Sequence, residues 1–273
     1  MELFFWIFTP ILSLFVLLFL LYLLWFIRPH KTKSTDPALL CDYAHRGLHT
    51  SEIPENSLAA FENAVAHGMG IELDVQLSRD GCVMVFHDAT LVRMTGCEKK
   101  LCELDATELQ ALSLAETDQR IPLFSEVLNL VNGRVPLLVE LKGETFDTSL
   151  CAKVATLLKD YKGNYCIESF NPLLIREMRK ELPNAYYGLL YTNVCRDKEK
   201  TSLLNLLLTV MAFNFLAKPD FIAYNKLDEK TLPVRITTAF YRAPKFIWTV
   251  NSEHDLQTAR KTEAHPIFED LIP

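Results

Sequence analysis

Apolar residues are distributed along the chain in two ways, as one long uninterrupted segment and then as short runs between amphipathic stretches. Residues 3–27 (LFFWIFTPILSLFVLLFLLYLLWFI) contain no charged side chain. As a helix rising 1.5 Å per residue, this segment would be about 37 Å long, enough to cross a hydrocarbon core of roughly 30 Å. We therefore predict a transmembrane anchor at residues 1–30, followed by a short polar linker at residues 31–40.

A cleaved signal peptide is the alternative interpretation of the apolar segment. Such a peptide has a basic start, an apolar core of about 7–15 residues and a small-residue cleavage site. Here Glu2 occupies the start, the apolar run is longer, and no Ala-x-Ala-like site follows it. The sequence favours a retained single-pass anchor, with Trp6 and Trp25 near its ends, where aromatic residues meet the membrane interface.

The charges that flank the anchor predict its orientation. Arg28, Lys31 and Lys33 follow the apolar segment, whereas only the amino terminus and Glu2 precede it. Basic residues are in excess on the cytoplasmic side of membrane spans. We therefore expect the remainder of the chain to lie in the cytoplasm, attached to the membrane.

Residues 41–273 show a pattern of strands alternating with helices. The candidate strands are CDYAH (41–45), IELDVQL (71–77), VMVFH (83–87), VPLLVELK (135–142), YCIESF (165–170), AYYGLLY (185–191), FIAYN (221–225) and FIWTV (246–250). Helical patterns lie between several of them, for example SLAAFENAVAHG with Asn56 or Ser57 as its N-cap. This alternation predicts one domain, a closed parallel (β/α)₈ TIM barrel of about 230 residues.

Three irregularities are expected in this barrel. Only SRDG (78–81) separates the second and third candidate strands, so one helix should be missing there. An irregular insertion at 89–120 follows the third strand. Residues 196–218 are expected to form one helix with a broad apolar stripe, either on the outside of the barrel or as a second contact with the bilayer surface.

The composition argues against two classes of function. The formal net charge of −6 over 273 residues gives no basis for nucleic-acid binding. The seven cysteines lack the spacing of a zinc site. The chemistry must therefore come from histidines, carboxylates and basic side chains.

Charged and histidine side chains concentrate where the first four candidate strands end. They are His45 and Arg46, Glu72 and Asp74, His87 and Asp88, and Glu140 and Lys142. Residues two apart on a strand point to the same face, and catalytic groups of a parallel barrel gather at the carboxyl ends of its strands. We therefore predict that these side chains meet at one opening of the barrel.

Glu72, Asp74 and Glu140 are the predicted ligands of one divalent cation. Three carboxylates without a cysteine suit a hard ion such as Mg²⁺ or Ca²⁺, and the sequence does not choose between the two. A cation between carboxylates also removes their mutual repulsion. A simple ion pair with Lys142 is the alternative role for Glu140.

His45 and His87 are the predicted acid and base. A pKa near 6.5 lets one imidazole accept the proton of an attacking hydroxyl while the other protonates a leaving oxygen. Arg46 and Lys142 carry the positive charge that would hold an anionic phosphodiester. Together these groups predict a metal-assisted phosphodiester hydrolase.

Several of these residues belong to motifs that follow one another from residue 45 to residue 251. The motifs are HRG (45–47), PEN (54–56), AFENAVAHG (60–68), IELDVQLSRDG (71–81), HD (87–88), VELK (139–142), ESF (168–170) and WTVN (248–251). In this order they resemble the glycerophosphodiester phosphodiesterase family. The resemblance implies a TIM barrel that cleaves a glycerophosphodiester to glycerol 3-phosphate and an alcohol.

The resemblance also implies roles for individual residues. His45 and His87 correspond to the acid–base pair, and the three carboxylates named above correspond to metal ligands. Arg46 and Lys142 would lie near the phosphate. Trp248, at the end of the last candidate strand, either plugs the barrel or forms a wall of the glycerol-binding pocket.

The C-terminus departs from the family pattern. Many relatives end in a glycine-rich segment that finishes with Thr-Asp-x-Pro, whereas AHPIFEDLIP (264–273) contains Glu269 and Asp270 and no glycine. We expect this difference to affect the rim of the barrel and the choice of substrate more than the chemistry.

Two further functions are compatible with the sequence. The enzyme could act on membrane lysophospholipids and release their head groups, as a lysophospholipase D does, because the anchor would place it beside such lipids. Alternatively, the barrel could bind lipid head groups without catalysis. The complete set of two histidines and three acids argues for the catalytic interpretations.

Overall fold

The protein is described by a computed structural model that covers residues 2–30, 36–143, 146–197 and 202–273. Within these residues one sheet contains the strands β1 Tyr43–Ala44, β2 Gly70–Leu77, β3 Val83–Val85, β4 Leu137–Leu141, β5 Tyr165–Ser169, β6 Tyr186–Tyr191, β7 Phe221–Asn225, β8 Lys245–Val250 and β9 His265–Phe268. Their order is β1-β9-β8-β7-β6-β5-β4-β2-β3, and β1 also pairs with β2. All the strands except β3 are therefore parallel and closed into a TIM barrel, as predicted.

Helices surround the barrel and connect its strands. They are α1 Glu2–Leu21, α2 Leu58–Ala66, α3 Val92–Thr95, α4 Ala106–Gln110, α5 Phe124–Val131, α6 Ser149–Asp160, α7 Pro172–Glu181, α8 Val194–Asp197, α9 Leu203–Thr209, α10 Asn214–Ala217, α11 Leu232–Arg235 and α12 Glu253–Lys261. Of the two candidate N-caps for α2, it is Ser57 whose hydroxyl accepts a hydrogen bond from the N–H of Ala60, at 3.1 Å.

The interior of the barrel is filled by aromatic side chains. The ring centroids of Tyr43 and Phe246 lie 5.8 Å apart, and those of Phe221 and Phe246 lie 4.6 Å apart. All three side chains are completely buried. The barrel is thus a packed core rather than a pore, and chemistry is confined to the mouth at the carboxyl ends of the strands.

The strand predictions need one correction. VMVFH contributes only β3, which pairs antiparallel with β2 and lies outside the barrel. The four-residue SRDG connection is too short for a parallel crossover, which needs about a dozen residues or more. The eighth barrel strand is β9, which the sequence analysis missed because it is only four residues long and contains Pro266.

The expectation of one helix at 196–218 is also wrong. The described residues form three short helices there, α8, α9 and α10, and residues 198–201 lie outside the described part of the chain. The Ser202 hydroxyl caps α9 by accepting a hydrogen bond from the N–H of Asn205, at 3.1 Å. Met211 then adopts a φ of 51°, a left-handed conformation that no helix continues through.

The C-terminal end of the N-terminal helix is attached to the side of the barrel. The segment Phe8–Phe26, which comprises most of α1 and the π-helical turn Tyr22–Phe26, is long and apolar enough to cross a membrane. Beyond it, Asn214 Nδ2 donates to the carbonyl of Ile27 at 2.7 Å, and Ile27 is completely buried. Lys31 and Lys33 lie in residues 31–35, the half of the predicted linker that is outside the described residues.

We expect Ile27→Ala to lower the free energy of unfolding by about 2–5 kcal/mol, because truncating a buried isoleucine leaves a cavity. Thermal or urea unfolding of the full chain in detergent micelles measures this loss. Ile11→Ala is the matched control, since Ile11 is exposed on α1 and should change nothing. Equal stability of the two variants would show that the anchor is not seated on the barrel.

Candidate active site

Four buried carboxylates lie at the ends of three neighbouring strands. Glu72 and Asp74 are on β2, Asp74 is in register with Glu140 on β4, and Glu140 is in register with Glu168 on β5. Ligand atoms of the first three lie within 4.8 Å of one another. The structure therefore brings the three predicted metal ligands together, and it adds Glu168, which the sequence analysis quoted only as part of a motif.

Burial and mutual repulsion make this cluster costly to ionise. Burial raises the pKa of Glu72 well above its usual value, and the charges of Asp74 and Glu140 raise it further. Burial also raises the pKa of Glu140 to about 7, against the attraction of Lys142. A divalent cation would offset this cost, and three oxygen donors are the ligands that Mg²⁺ and Ca²⁺ prefer.

Lys142 provides part of the compensating charge. Its Nζ lies 2.7 Å from Glu140 Oε1 and 2.9 Å from Asp74 Oδ1. Burial would raise the pKa of Asp74, but the lysine charge holds that pKa below its usual range. The ion pair considered for Glu140 is thus present, and Glu140 belongs to the carboxylate cluster as well. Lys142 thus forms ion pairs with two of the carboxylates, and its charge is also available to a nearby anion.

Each predicted catalytic histidine is paired with a carboxylate through Nδ1. His45 Nδ1 lies 2.7 Å from Glu269 Oε2, and His87 Nδ1 lies 2.7 Å from Asp88 Oδ1. Because an ionised carboxylate only accepts hydrogen bonds, Nδ1 carries the hydrogen in both rings. Nε2 is therefore the atom that is left to exchange a proton with a substrate.

The loop that carries His87 is held by a side chain of β2. Gln76 Nε2 donates to the carbonyls of Phe86 at 2.8 Å, His87 at 3.1 Å and Asp88 at 2.9 Å. Since β3 lies outside the barrel, these hydrogen bonds from Gln76 hold His87 beside the mouth. Burial lowers the pKa of His87, so its ring favours the neutral form near pH 7.

Glu269 is a site residue that the sequence analysis misjudged. β9 is parallel to β1 with Ala44 opposite Phe268, so the residues that follow the two strands, His45 and Glu269, are neighbours. The hydrogen bond from His45 lowers the pKa of Glu269. The C-terminal difference was expected to affect the rim and the choice of substrate more than the chemistry, but Glu269 contacts a predicted catalytic histidine. The sequence feature that could have identified Glu269 is an acid directly after a short apolar run, as at the other strand ends.

Ion pairs connect the histidine loop to the carboxylate cluster. Arg93 Nε bonds to Asp88 at 2.6 Å, and its Nη2 bonds to Glu55 at 2.7 Å. Glu55 in turn bonds to Arg46 at 2.8 Å, and Arg46 Nε lies 3.7 Å from Asp74. Burial alone would raise the pKa of Glu55, but the two arginines lower it to about 2. The sequence analysis named Glu55 only as part of the PEN motif, and Arg93 was not singled out.

Arg46 and Trp248 lie at the mouth in positions suited to a ligand. The Nε of Arg46 is buried and has no hydrogen-bond partner among the described residues. Trp248 is half-buried, donates from Nε1 to the carbonyl of Ala223 at 3.1 Å, and meets the ring of Phe170 edge-on at a centroid distance of 5.6 Å. The mouth therefore combines a cationic donor with an aromatic wall.

The geometry agrees with the result of a comparison with protein families. The model of the "Glycerophosphoryl diester phosphodiesterase family" matches residues 45–272. The chain belongs to this family. The match begins at His45 and includes Glu269. It therefore contains both of the residues that become neighbours where β9 closes the barrel against β1.

Individual relatives support the assignment. Over 238 residues the chain is 29% identical to a glycerophosphodiester phosphodiesterase of Caldanaerobacter subterraneus subsp. tengcongensis, covering 83% of this chain and 92% of that one. Over 135 residues it is 37% identical to a lysophospholipase D of Rattus norvegicus, covering 45% of this chain and 42% of that one. A solved phosphodiesterase of Oleispira antarctica, in complex with the product sn-glycerol-3-phosphate, has the same fold, with a TM-score of 0.69, 21% identity and coverage of 84% and 92%.

We expect Mg²⁺ or Ca²⁺ to raise the melting temperature of this family member, and Glu72→Gln to abolish that rise. At about 100 times its Kd, a bound ion stabilises a protein by about 2.7 kcal/mol. Without the ion, the variant should be no less stable than the parent, because one buried acid has been replaced by a neutral group. Thermal unfolding in EDTA and in each ion measures both effects. Exposed Glu52→Gln is the control, and an undiminished shift in Glu72→Gln would contradict the assignment of this ligand.

We expect Glu269→Ala to lower kcat for a glycerophosphodiester about 10- to 100-fold with little change in KM, because His45 loses the partner that orients its ring. The metal-dependent rise in melting temperature should persist, since Glu269 is not one of the three clustered carboxylates predicted to bind the ion. Steady-state kinetics and thermal unfolding measure the two effects. Asp270→Ala, at the exposed neighbouring position, should retain full activity. A KM effect alone would assign Glu269 to substrate binding instead.

Proposed function

We propose that the chain hydrolyses a glycerophosphodiester to sn-glycerol 3-phosphate and an alcohol with the help of one divalent cation. The observation that carries the proposal is the meeting of two Nδ1-protonated histidines with a buried cluster of three carboxylates at one barrel mouth. The family membership and the names of the relatives support the same reaction. We assign the finer roles of individual residues on the basis of their contacts.

His45 and His87 move the protons of the reaction. The Nε2 of one ring accepts the proton of the attacking hydroxyl as its oxygen bonds to phosphorus. The other ring, protonated beforehand, gives its proton to the alcohol oxygen as the old P–O bond breaks. Where the attacking group is a hydroxyl of the substrate's own glycerol, a cyclic phosphate forms first and water then opens it.

Glu72, Asp74 and Glu140 hold the cation, Mg²⁺ or Ca²⁺, in this proposal. When bound, the ion stabilises the negative charge that develops on the phosphate oxygens. Arg46 and Lys142 bind the phosphodiester. The Nε of Arg46 lies 3.7 Å from Asp74 but has no hydrogen-bond partner among the described residues, and Lys142 contributes its ammonium charge. Trp248 and Phe170 form the wall against which the glycerol group lies.

We also propose that α1 is a retained single-pass anchor, with the barrel in the cytoplasm. Tyr22 donates to the carbonyl of Val210 at 2.9 Å, and His30 N–H donates to the carbonyl of Pro219 at 2.8 Å. Cleavage between these residues would break packed contacts and uncover Ile27, which argues against a signal peptide. The basic residues after the segment support the cytoplasmic orientation.

The test uses the full chain in detergent with glycerophosphocholine, followed by phosphorus NMR with EDTA, Mg²⁺ or Ca²⁺. We expect glycerol 3-phosphate only when a divalent ion is present. His45→Asn and His87→Asn should each slow its release at least about 100-fold, because general acid–base catalysis contributes about 10²–10⁴.

His67→Asn is the control, because His67 is exposed and bonds through Nδ1 to the backbone of its own helix. Release that is equally fast in all three variants would overturn the catalytic roles. Absence of product with either ion would overturn hydrolysis of small diesters.

A lysophospholipase D activity is the second candidate. The same P–O bond would be broken in a substrate whose glycerol carries one acyl chain. Exposed leucines of α9, which follows the end of β6, favour this candidate, as does the name of the rat relative. Release of choline from lysophosphatidylcholine, compared with release from glycerophosphocholine, distinguishes the two.

A further inference from the structure

The contacts of the anchor fix its direction relative to the barrel. Tyr22 bonds to Val210, whose neighbour Thr209 accepts a hydrogen bond from the hydroxyl of Tyr191, the last residue of β6. His30 bonds to Asp220, whose carboxylate accepts from the N–H of Tyr187, near the start of β6. From residue 22 to residue 30 the chain thus descends from the mouth level to the opposite end, about 13 Å at 3.3 Å per strand residue.

The remainder of the anchor must therefore project on the side of the mouth. The helix is continuous from Glu2 to Phe26, and its C-terminal turn already points away from the mouth. The 20 residues of α1 extend about 30 Å in the opposite direction, past the ends of the barrel strands. If this helix spans a bilayer, as proposed above, then the mouth faces that bilayer.

The overlap between anchor and barrel sets the distance between the mouth and the membrane. The apolar segment runs to Phe26, but its contacts with the barrel begin at Tyr22. The four helical steps from Tyr22 to Phe26 correspond to about 6 Å. The edge of the mouth near β6 therefore reaches the interfacial layer, into which peripheral apolar groups insert by about 5–10 Å.

Apolar side chains are exposed at this same end of the barrel. We call Phe146, Leu203, Leu204, Leu206, Leu227 and Leu232 the rim patch. Each lies in a segment that follows the carboxyl end of a barrel strand, and Leu203 and Leu227 are 73% and 71% exposed. Hydrogen bonds from Arg196 and Asn193 to Asp228 join the loop after β6 to the loop after β7, so the leucines belong to one surface.

The opposite end of the barrel has a different surface. Among the described residues, no exposed large apolar side chain lies in the loops that lead into the barrel strands. The nearest is Phe240, at the end of the π-helical turn before the loop into β8. Large exposed apolar groups are thus gathered at the end from which the anchor leaves, as a membrane-contacting surface requires.

We propose that the rim patch docks on the bilayer that holds α1, so that the catalytic mouth opens directly onto the lipid surface. This inference rests on the proposed anchor. The partner is the interface of a phospholipid bilayer, recognised by leucine and phenylalanine side chains beside an embedded helix. Head groups presented at that interface reach the site without passing through bulk water, which favours single-chain glycerophospholipids over soluble diesters as substrates.

Tryptophan quenching by brominated phospholipids tests the docking. The full chain is reconstituted in nanodiscs with Trp6→Phe and Trp25→Phe, and its remaining Trp248 signal is subtracted. Leu204→Trp, in the rim patch, should lose at least about half of its added fluorescence, because its side chain lies at the acyl boundary. Lys162→Trp, in the loop that leads into β5, is the matched control and should lose almost none.

Kinetics in the same nanodiscs provide the second readout. Replacing Leu203, Leu204, Leu227 and Leu232 by Asn should slow hydrolysis of embedded lysophosphatidylcholine about tenfold and leave soluble glycerophosphocholine unaffected. Phe240→Asn is the control outside the rim patch and should change neither rate.

The outcomes separate this inference from the proposed function. Equal quenching at positions 204 and 162 would overturn the docking and leave the proposed hydrolysis intact. If the parent hydrolyses neither substrate, the proposed function fails, and the quenching still decides the docking. A fourfold leucine variant that slows both substrates equally would assign the leucines to the fold rather than to the membrane.

Discussion

Buried negative charge is the constraint on which the site depends. Four carboxylates from β2, β4 and β5 share one desolvated mouth. Neighbouring groups offset part of the free-energy cost of this buried charge. Lys142 lies against Asp74 and Glu140, and the backbone N–H of Arg46 donates to Glu72 at 2.8 Å. To place that N–H, Arg46 adopts a left-handed φ of 56°. The charge that is left uncompensated is what makes a divalent cation the natural occupant.

The same charge organises the residues around the cluster. Arg46 is shared between Asp74 and Glu55, Glu55 also binds Arg93, and Arg93 binds Asp88. Asp88 in turn bonds to the ring of His87. A continuous series of ion pairs therefore links the carboxylate cluster to His87, one of the two histidines that we propose transfer protons. The other, His45, is oriented separately by Glu269 at the point where β9 closes the barrel against β1.

The proposed membrane anchor and the catalytic mouth are held in a fixed orientation relative to each other. The nine residues from Tyr22 to His30 descend along the barrel beside β6, and this fixes the side on which the apolar helix leaves. An anchor attached by a flexible linker would let the mouth face any direction. If the helix spans a bilayer, as we propose, the packed segment couples its position there to the orientation of the site.

The sequence by itself determined the barrel, the three clustered acids, the two histidines at strand ends and the apolar helix. Each depends on a local signal, such as the spacing of Glu72 and Asp74 on one strand face or the long run without charge. The tertiary structure decided what depends on barrel closure and strand order. It placed Glu269 beside His45, although the two residues are far apart in the chain. It made HPIF, rather than VMVFH, a strand of the barrel. It also decided the direction of the anchor, because that direction depends on the residues to which Tyr22 and His30 bond, and no local pattern specifies such distant partners.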